Sequence, residues 1–311
     1  MWRPRSTSRR PAAAPLVALL WFAALCARTG AARAQVCCAG GSAVTPGRLE
    51  PHEDALVGLQ ARASGVLGSF DPGGAYLASP GQDREYDLEQ DLFAAVRVLP
   101  RAQLAVLAPL VETFRSTPLD GSHFGGGFGD VNLSARYDLL LAGQSRYVPG
   151  VAVLAGITAP TGTAPEAATQ PLAVDATGVG ALQGNAAIAL EQTFGPWLAN
   201  ATVIVAERAP RSGETLGTQW TLLAAGAYTF SNDAAAVLAA SYAFEGDATR
   251  GGRSVALSSK AVTTITLSAL WPLADWWRLL GGLVLNPPLD GLGKNQPAAA
   301  GLTITVIRSW S

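Results

Sequence analysis

The feature that most limits the fold of this chain is a series of long segments in which apolar and polar residues alternate. In the segment DVNLSARYDLLL, the apolar residues fall on one side of an extended chain and the polar residues on the other. The apolar set is Val131, Leu133, Ala135, Tyr137, Leu139 and Leu141. Because successive side chains of a strand point to opposite faces, this period of two predicts a strand with one apolar face.

Twelve segments share this character, and their bounds predict an all-β chain. They lie at 54–69, 84–98, 103–115, 130–141, 147–158, 180–193, 196–208, 216–230, 233–245, 258–271, 276–286 and 298–310. Most exceed the about 5–6 residues that are commonest in soluble strands. They reach the roughly 9–11 residues that a tilted membrane strand requires.

The connections between these segments alternate in length. Every second connection is short, and the short ones read LPRA, AGQSR, FGP, SND and PLAD. The others are mostly longer, at 70–83, 116–129, 159–179, 209–215, 246–257 and 287–297. Outer-membrane barrels show this asymmetry between short periplasmic turns and long outer loops. The glycine run at 125–127 is interpreted as a flexible loop leading into a strand.

A closed membrane barrel explains both patterns. Charged residues make up 14% of the chain, against about 25% in soluble domains. In lipid every backbone polar group needs a partner within the protein, which an open sheet does not provide. We therefore predict a single antiparallel up-and-down transmembrane β-barrel of about twelve strands over 54–311. It would lie in the lipid bilayer of the bacterial outer membrane. A soluble, exported all-β protein with two packed sheets remains the alternative.

The first 34 residues have the plan of a cleaved signal peptide. Arginines and no acidic residue fill positions 1–10, an apolar run covers 14–25, and Ala32-Arg33-Ala34 supplies an A-x-A spacing. A twin-arginine signal is disfavoured by Pro11, and lipid attachment at Cys26 by the large Leu25 before it.

Residues 35–53 are predicted to form either a periplasmic tail or a small plug. Their adjacent Cys37 and Cys38 do not easily form an unstrained disulfide with each other. No C-x-x-C metal spacing occurs, so we expect no metal and no cofactor. The net charge of −1 gives no electrostatic basis for nucleic-acid binding.

Aromatic residues occur at strand ends beside the short turns, as an interfacial girdle requires. They are Trp197, Phe230, Trp271, Trp277 and Trp310.

Three residues depart from the alternation of apolar and polar residues. Pro109 is expected to break the third strand, Glu112 falls on the apolar face unless Pro109 marks a bulge, and Arg308 points outward and must reach the membrane interface.

The polar faces supply the candidate functional residues, which are expected to line the lumen. They are Arg62, Asp87, Glu89, Asp91, Arg97, Asn132, Arg136 and Asp138. Arg62 is expected to lie roughly opposite Asp91. Charges inside a narrow barrel either brace it or tune what passes, so a channel and a plugged structural barrel both stay open.

An enzyme is the less favoured alternative, because some outer-membrane barrels are lipases. Such an enzyme needs a serine, a histidine and a group that orients the histidine. The chain has two histidines, His52 before the first strand and His123 beside Ser122 in an outer loop. Adjacent residues of an extended segment face opposite ways, so this pair is a weak catalytic signal.

The segment GGFGDVNLSARYDLL resembles a motif of outer-membrane transporters associated with the meta-pathway of phenol degradation. The matching residues are Gly127, Gly129, Asp130, Leu133, Arg136 and Tyr137, followed by Pro160-Thr161-Gly162. The resemblance covers about 128–162. It implies a barrel that takes up small, hydrophobic or aromatic, substrates. Such barrels often end on an aromatic residue read by the outer-membrane assembly machinery, whereas here Trp310 is penultimate and Ser311 last.

Overall fold

The computed structural model describes residues 48–145, 147–211 and 213–311. The predicted signal peptide, Cys26, Cys37 and Cys38 lie outside these residues. Within the described part, no helix has the length and apolarity needed to cross a bilayer.

Twelve long antiparallel strands form the barrel wall. They are β1 (Ala55–Phe70), β2 (Arg84–Leu99), β3 (Ala102–Thr117), β4 (Val131–Leu140), β5 (Gly150–Ala159), β6 (Gln183–Phe194), β7 (Trp197–Arg208), β8 (Gln219–Thr229), β9 (Ala235–Glu245), β10 (Lys260–Ala274), β11 (Trp277–Leu285) and β12 (Pro297–Trp310). Each strand pairs with its neighbours in the chain, and β1 pairs with β12 from Ala55↔Trp310 onward. The predicted up-and-down barrel of twelve strands is confirmed. The predicted starts at 147, 180 and 216 are each three residues early.

Alternation along each strand sorts side chains between lipid and lumen. Leu59, Leu222 and Leu267 are 52%, 52% and 53% exposed on the outer surface. Leu56 and Leu198 point inward and are each 2% exposed. An outer surface of exposed apolar side chains on a closed sheet is stable in hydrocarbon, which places the protein in the outer membrane. The end with the short turns is therefore called the periplasmic end.

The glycine-rich segment before β4 is a strand, so its interpretation as a flexible loop was wrong. Gly121–Phe128 pairs with the outer half of β3, from Leu110↔Phe128 to Thr117↔Gly121. A side chain at Gly126 would lie 2.3 Å from the carbonyl oxygen of Val111, and its φ is +155°. Alternation could not reveal this strand because glycines carry no side chains to alternate. The remaining short strands are Tyr76–Ala78, Glu214–Thr215, Thr249–Arg250, Arg253–Ser254 and Gly293–Lys294.

Pro109 does not break β3, contrary to expectation. The pairing of β2 with β3 continues without a shift through Asp91↔Pro109. On its other side, β3 changes partner here, from β4 below to Gly121–Phe128 above. The carbonyl of Pro109 accepts a bond from the Gly129 amide at that change of partner. In a strand, the amide and the carbonyl of one residue point toward the same neighbouring strand. The N–H that Pro109 lacks would therefore have faced this change of partner, where no ladder bond is lost. Without a bulge, Glu112 faces outward, near the long-loop end.

Arg308 on β12 faces outward near the periplasmic end, as predicted, and lies between two girdle tryptophans. Its guanidinium carbon is 5.2 Å from the Trp277 ring centre and 5.4 Å from that of Trp310. Trp197 packs edge-on against Tyr228 at 4.8 Å on the same rim. Cation–π contact stabilises the charge beside the lipid, in addition to its reach toward the headgroups.

The lumen at the periplasmic end is filled by inward-facing apolar side chains, here called the periplasmic cluster. It consists of Leu49, Leu56, Phe93, Ala95, Leu198, Ala227, Ala235, Val237, Leu270, Leu280 and Ile307. Phe93 lies over Gly58 of the paired strand β1, where a Cβ would come within 2.2 Å of the ring. Glycine at position 58 therefore lets the ring lie flat across the lumen.

We expect Gly58→Ala to destabilise the barrel by about 1–3 kcal/mol, because the added methyl overpacks against the buried Phe93. Urea unfolding in detergent micelles measures the change. Combining it with Phe93→Ala should cost less than the sum of the two single changes. Gly281→Ala is the matched control, since nothing lies within 4 Å of its new Cβ. Equal losses in Gly58→Ala and the control would contradict this packing.

Candidate functional site

The middle of the lumen holds two polar cavities that share lining residues. The outer one has a volume of about 450 Å³ and the inner one about 310 Å³. Arg62, Thr264 and Val284 line both, and the two cavities together are here called the inner cavity. It lies between the outer loops and the periplasmic cluster.

One side of the inner cavity is acidic. Strand β2 places Asp87, Glu89 and Asp91 on its inward face, here called the acidic wall, with the apolar Phe93 following one step deeper. Arg62 on β1 stands opposite Glu89 in the register and binds its carboxylate. Asp91 stands opposite Gln60, so the expected Arg62–Asp91 pairing was wrong by two residues.

No arginine of the described chain binds the other two acids of this wall. Asp87 accepts a hydrogen bond of 2.9 Å from the Thr113 hydroxyl. Asp91 is 7% exposed, and its Oδ1 has no hydrogen-bond partner within residues 48–145, 147–211 and 213–311. An unpaired buried oxygen is costly, and such groups cluster where proteins bind or transport something.

On the other side of β1 from this wall, the cavity is lined by uncharged polar side chains. Strands β10 and β12 contribute Thr264, Thr266, Thr303 and Thr305, here called the hydroxyl wall. Asn286 donates to the Thr264 hydroxyl at 2.8 Å and fixes its orientation. Hydroxyls both donate and accept, so this wall can bind solutes of either polarity.

The loop 160–182 between β5 and β6 narrows the outer end of the lumen. Arg115 of β3 donates to the carbonyl of Leu172 at 2.7 Å and to that of Ala173 at 3.3 Å. Val174 is completely buried, and Ala176 lines the inner cavity. This loop therefore folds inward rather than outward into the solvent.

Two aspartates hold the loop in this shape. Asp130 accepts hydrogen bonds from the Gly162 amide at 2.9 Å and the Val179 amide at 2.7 Å, which ties both ends of the loop to the start of β4. Asp175 accepts from the Thr169 amide at 2.9 Å. The Thr169 amide, followed by weaker bonds from Gln170, holds the pKa of Asp175 below its usual value.

The segment 48–53 closes the periplasmic end. Leu49 is 5% exposed within the periplasmic cluster. Arg278 of β11 binds the carboxylates of Glu50 and Glu53, the latter at 2.7 Å. Arg97 of β2 donates to the carbonyls of the same two residues. The described end of the predicted tail thus lies inside the barrel mouth.

A buried ionic network lies beside this segment. Glu191 of β6 is 3% exposed and binds Arg136 at 3.2 Å, Asn200 at 3.1 Å, and Arg48 of the segment before β1. Arg136 also binds Asp138 at 2.8 Å. Buried charges are tolerated only when paired and hydrogen-bonded, and this network satisfies each of its carboxylates.

The eight residues predicted to line the lumen all lie on inward faces, but at different places. Arg62, Asp87 and Glu89 line the inner cavity, and Asp91 follows them on the inward face of β2. Arg97, Arg136 and Asp138 lie deeper and hold the barrel or the segment 48–53 together. Asn132 donates to the Thr158 hydroxyl of β5 at 2.9 Å, between adjacent strands.

Glu191, Arg115 and Arg278 are among the charged residues of this interior that sequence reasoning missed. Glu191 lies on the alanine-rich strand β6, where small side chains hide the alternation. Arg115 and Arg278 lie on inward positions of β3 and β11 and were detectable by alternation alone. Their partners were not, because these lie in the loop 160–182 and the segment 48–53, far away in sequence.

The histidines show no catalytic arrangement in the described residues. A ring nitrogen of His123 bonds the carbonyl of Asp120 at 2.8 Å, and the Ser122 hydroxyl bonds that of Ser116 at 2.9 Å. His52 lies with Glu50 and Glu53 in a group whose ligand atoms are all within 4.8 Å. Arg278 already binds both carboxylates, so this group is an ion-pair cluster.

Comparison with known proteins supports the fold. No family model matches the chain, and no curated protein matches it in sequence. An outer-membrane channel from Pseudomonas putida F1 superposes with a TM-score of 0.71 at 14% identity, covering 86% of this chain and 100% of that one. The transport unit of the autotransporter AIDA-I from Escherichia coli reaches a TM-score of 0.47 at 7% identity, covering 87% and 95%. At such identities the first likeness shows the outer-membrane barrel fold. Nothing in these comparisons supports the link to phenol degradation.

We expect Glu191→Ala to lower the free energy of unfolding by about 3–5 kcal/mol, because it leaves the buried Arg136 without its second carboxylate. Denaturant unfolding of the detergent-solubilised protein measures the loss. Glu166→Ala is the control, since Glu166 is 75% exposed in its contact with Arg211, and exposed pairs contribute about 0–1 kcal/mol. Similar losses in both variants would show that the network is not a buried anchor.

Asp175→Asn should loosen the loop 160–182. A lowered folded pKa means that the carboxylate's stabilising bonds are present at neutral pH and are lost only as pH falls through that lowered value. At neutral pH we therefore expect faster cleavage after Glu166 by a glutamate-specific protease. Asp120→Asn, in a different outer turn, is the control and should leave the rate unchanged. Equal rates in all three proteins would mean that Asp175 does not order the loop.

Proposed function

We propose that the protein is an outer-membrane channel that passes small molecules through its lumen. The observation that carries this proposal is the inner cavity, a polar space inside a closed barrel whose outer surface is apolar. A barrel that served only as a scaffold gains nothing from unfilled polar space, since packed side chains stabilise it better. A barrel of about eight strands is filled by side chains and one of 16–18 leaves a wide pore, so twelve fit a narrow passage.

Under this proposal, the passage is closed at both ends. The loop 160–182 narrows the outer end, and the segment 48–53 with the periplasmic cluster fills the other. Both closing segments lie outside the twelve strands of the wall. Passage therefore requires that these segments move while the backbone pairing of the wall stays intact.

The lining of the inner cavity favours polar solutes. Carboxylates, threonines and an arginine surround it, and moving an aromatic ring past them gains little from burial. Uptake of aromatic compounds, which the motif at 128–162 implies, thus has no support in the cavity chemistry. The assembly machinery remains an expected partner through the C-terminal strand.

A plugged structural barrel is the second candidate. The observation in its favour is the periplasmic cluster, in which Leu56, Phe93 and Ile307 are each at most 3% exposed. If these side chains never separate, the inner cavity is a blind pocket. Electrical recording distinguishes the two candidates.

We expect wild-type protein in planar lipid bilayers to show brief, small current steps, and Arg278→Ala to open more often. The reason is that Arg278 binds two carboxylates of the segment 48–53, and its loss frees this segment to move. Arg250→Ala is the matched control, because this arginine is 74% exposed in an outer loop. Liposome swelling with small polar solutes gives an independent readout.

Absence of current from correctly folded wild type and Arg278→Ala, at every voltage, would reject the channel and favour the plugged barrel. Slower migration after heating on a gel confirms folding in each preparation.

A further inference from the structure

We infer that the middle of the lumen selects small cations, and that Asp87 and Asp91 are the residues that set this selectivity. The inference rests on the proposed channel function and names its substrate class. It follows from how the charges around the inner cavity are paired, how they are spaced, and what faces them.

Pairing leaves a negative excess on the acidic wall. Arg62 is engaged by Glu89, and Arg115 by Glu85 at 2.8 Å. These are the two cations that line the inner cavity in the part of the chain described. Asp87 is bonded to a neutral threonine hydroxyl. Asp91 has a carboxylate oxygen without a hydrogen-bond partner among the described residues. Two acids thus have no ion pair in the part of the chain that the structure describes.

The burial of Asp91 indicates that this acid serves a purpose other than stability. Its side chain is more than nine-tenths buried and points inward from β2, directly above the apolar ring of Phe93. Leaving a buried acceptor unsatisfied costs about 1–3 kcal/mol. A cation that moves from the inner cavity toward the periplasmic end passes this carboxylate and supplies the missing partner. Structural stability alone gives no reason for an acid at this position.

The spacing indicates a series of weak sites rather than one chelating site. Alternate residues of a strand lie about 6.6 Å apart, since each residue rises about 3.3 Å. Asp87, Glu89 and Asp91 therefore form successive steps along the passage. Conduction requires sites that attract an ion and release it to the next, which such a series provides.

The remainder of the cavity wall is neutral and suits a partly hydrated cation. The hydroxyl wall offers oxygen lone pairs to an ion whose other side faces the carboxylates. An anion meets the same hydroxyls but is repelled by the acidic wall. In the lower dielectric of a narrow lumen this repulsion is stronger than in bulk water. The permeant class is therefore small inorganic cations and small organic ammonium ions.

Arg62 opposes this preference and offers a test in the opposite direction. It is 44% exposed and extends from β1 toward Glu89. Removing its charge should leave three uncompensated acids, whereas removing Glu89 should free a positive charge in the passage. A lumen that selects by charge must respond oppositely to these two changes.

The test is the reversal potential of the full-length protein in planar bilayers under a KCl gradient. Wild type should prefer K⁺ over Cl⁻ severalfold. Asp87→Asn and Asp91→Asn should each lower this ratio, and together bring it to near unity. Arg62→Gln should raise it, and Glu89→Gln should lower it toward anion preference. Glu207→Gln is the control, since this carboxylate lies on the outer surface of β7 and should leave the ratio unchanged.

Outcomes separate the two proposals. Current without cation preference, or a preference that the Asp87 and Asp91 variants leave unchanged, overturns the selectivity while the channel stands. Absence of current in wild type and in Arg278→Ala overturns the channel itself. Heat-modifiable migration verifies that each variant has folded. Liposome swelling with a cationic and an anionic solute of equal size gives the same comparison without a voltage.

Discussion

The hydrogen-bonded pairing of β1 with β12 is the interaction on which the rest of this structure depends. In hydrocarbon an unpaired backbone edge costs several kcal/mol for each group. Pairing from Ala55↔Trp310 to Ser69↔Pro297 removes both edges at once. Closure also explains the alternation of side chains, because one face of every strand contacts lipid and the other faces an enclosed lumen. An open sheet has no enclosed face.

A closed wall leaves the lumen to be filled or lined, and this protein does both at different depths. Along the inward face of β2 the residues run from acidic at Asp87, Glu89 and Asp91, through the apolar Phe93, to the basic Arg97. The apolar layer separates the inner cavity from the charged residues of the periplasmic end. The polar layer above it can be occupied by water and ions. The inward face of this one strand thus passes through the polar, the apolar and the basic layer of the lumen in turn.

The strands could be predicted from the sequence because lipid enforces alternation on every one of them. Prediction failed where a side chain carries no such signal. Gly121–Phe128 forms a strand from residues that largely lack side chains. Glu191, on the alanine-rich strand β6, gave no hint that three separate partners converge on it. The inward fold of the loop 160–182 was not predicted, and both a tail and a plug stayed open for the segment 48–53. Contacts with Arg115 and Arg278 set their positions, and local patterns do not encode such contacts.

The division between wall and closing segments also determines where movement can occur. Shifting a strand would break ladder bonds in lipid, where no water replaces them. The segment 48–53 and the loop 160–182 are held instead by ion pairs and hydrogen bonds to side chains, which water in the lumen can replace. Opening therefore costs far less at these segments than in the wall. The acidic wall belongs to a strand, so its charges keep their places when the segments move. Selection by charge and opening are in this way assigned to different parts of the molecule.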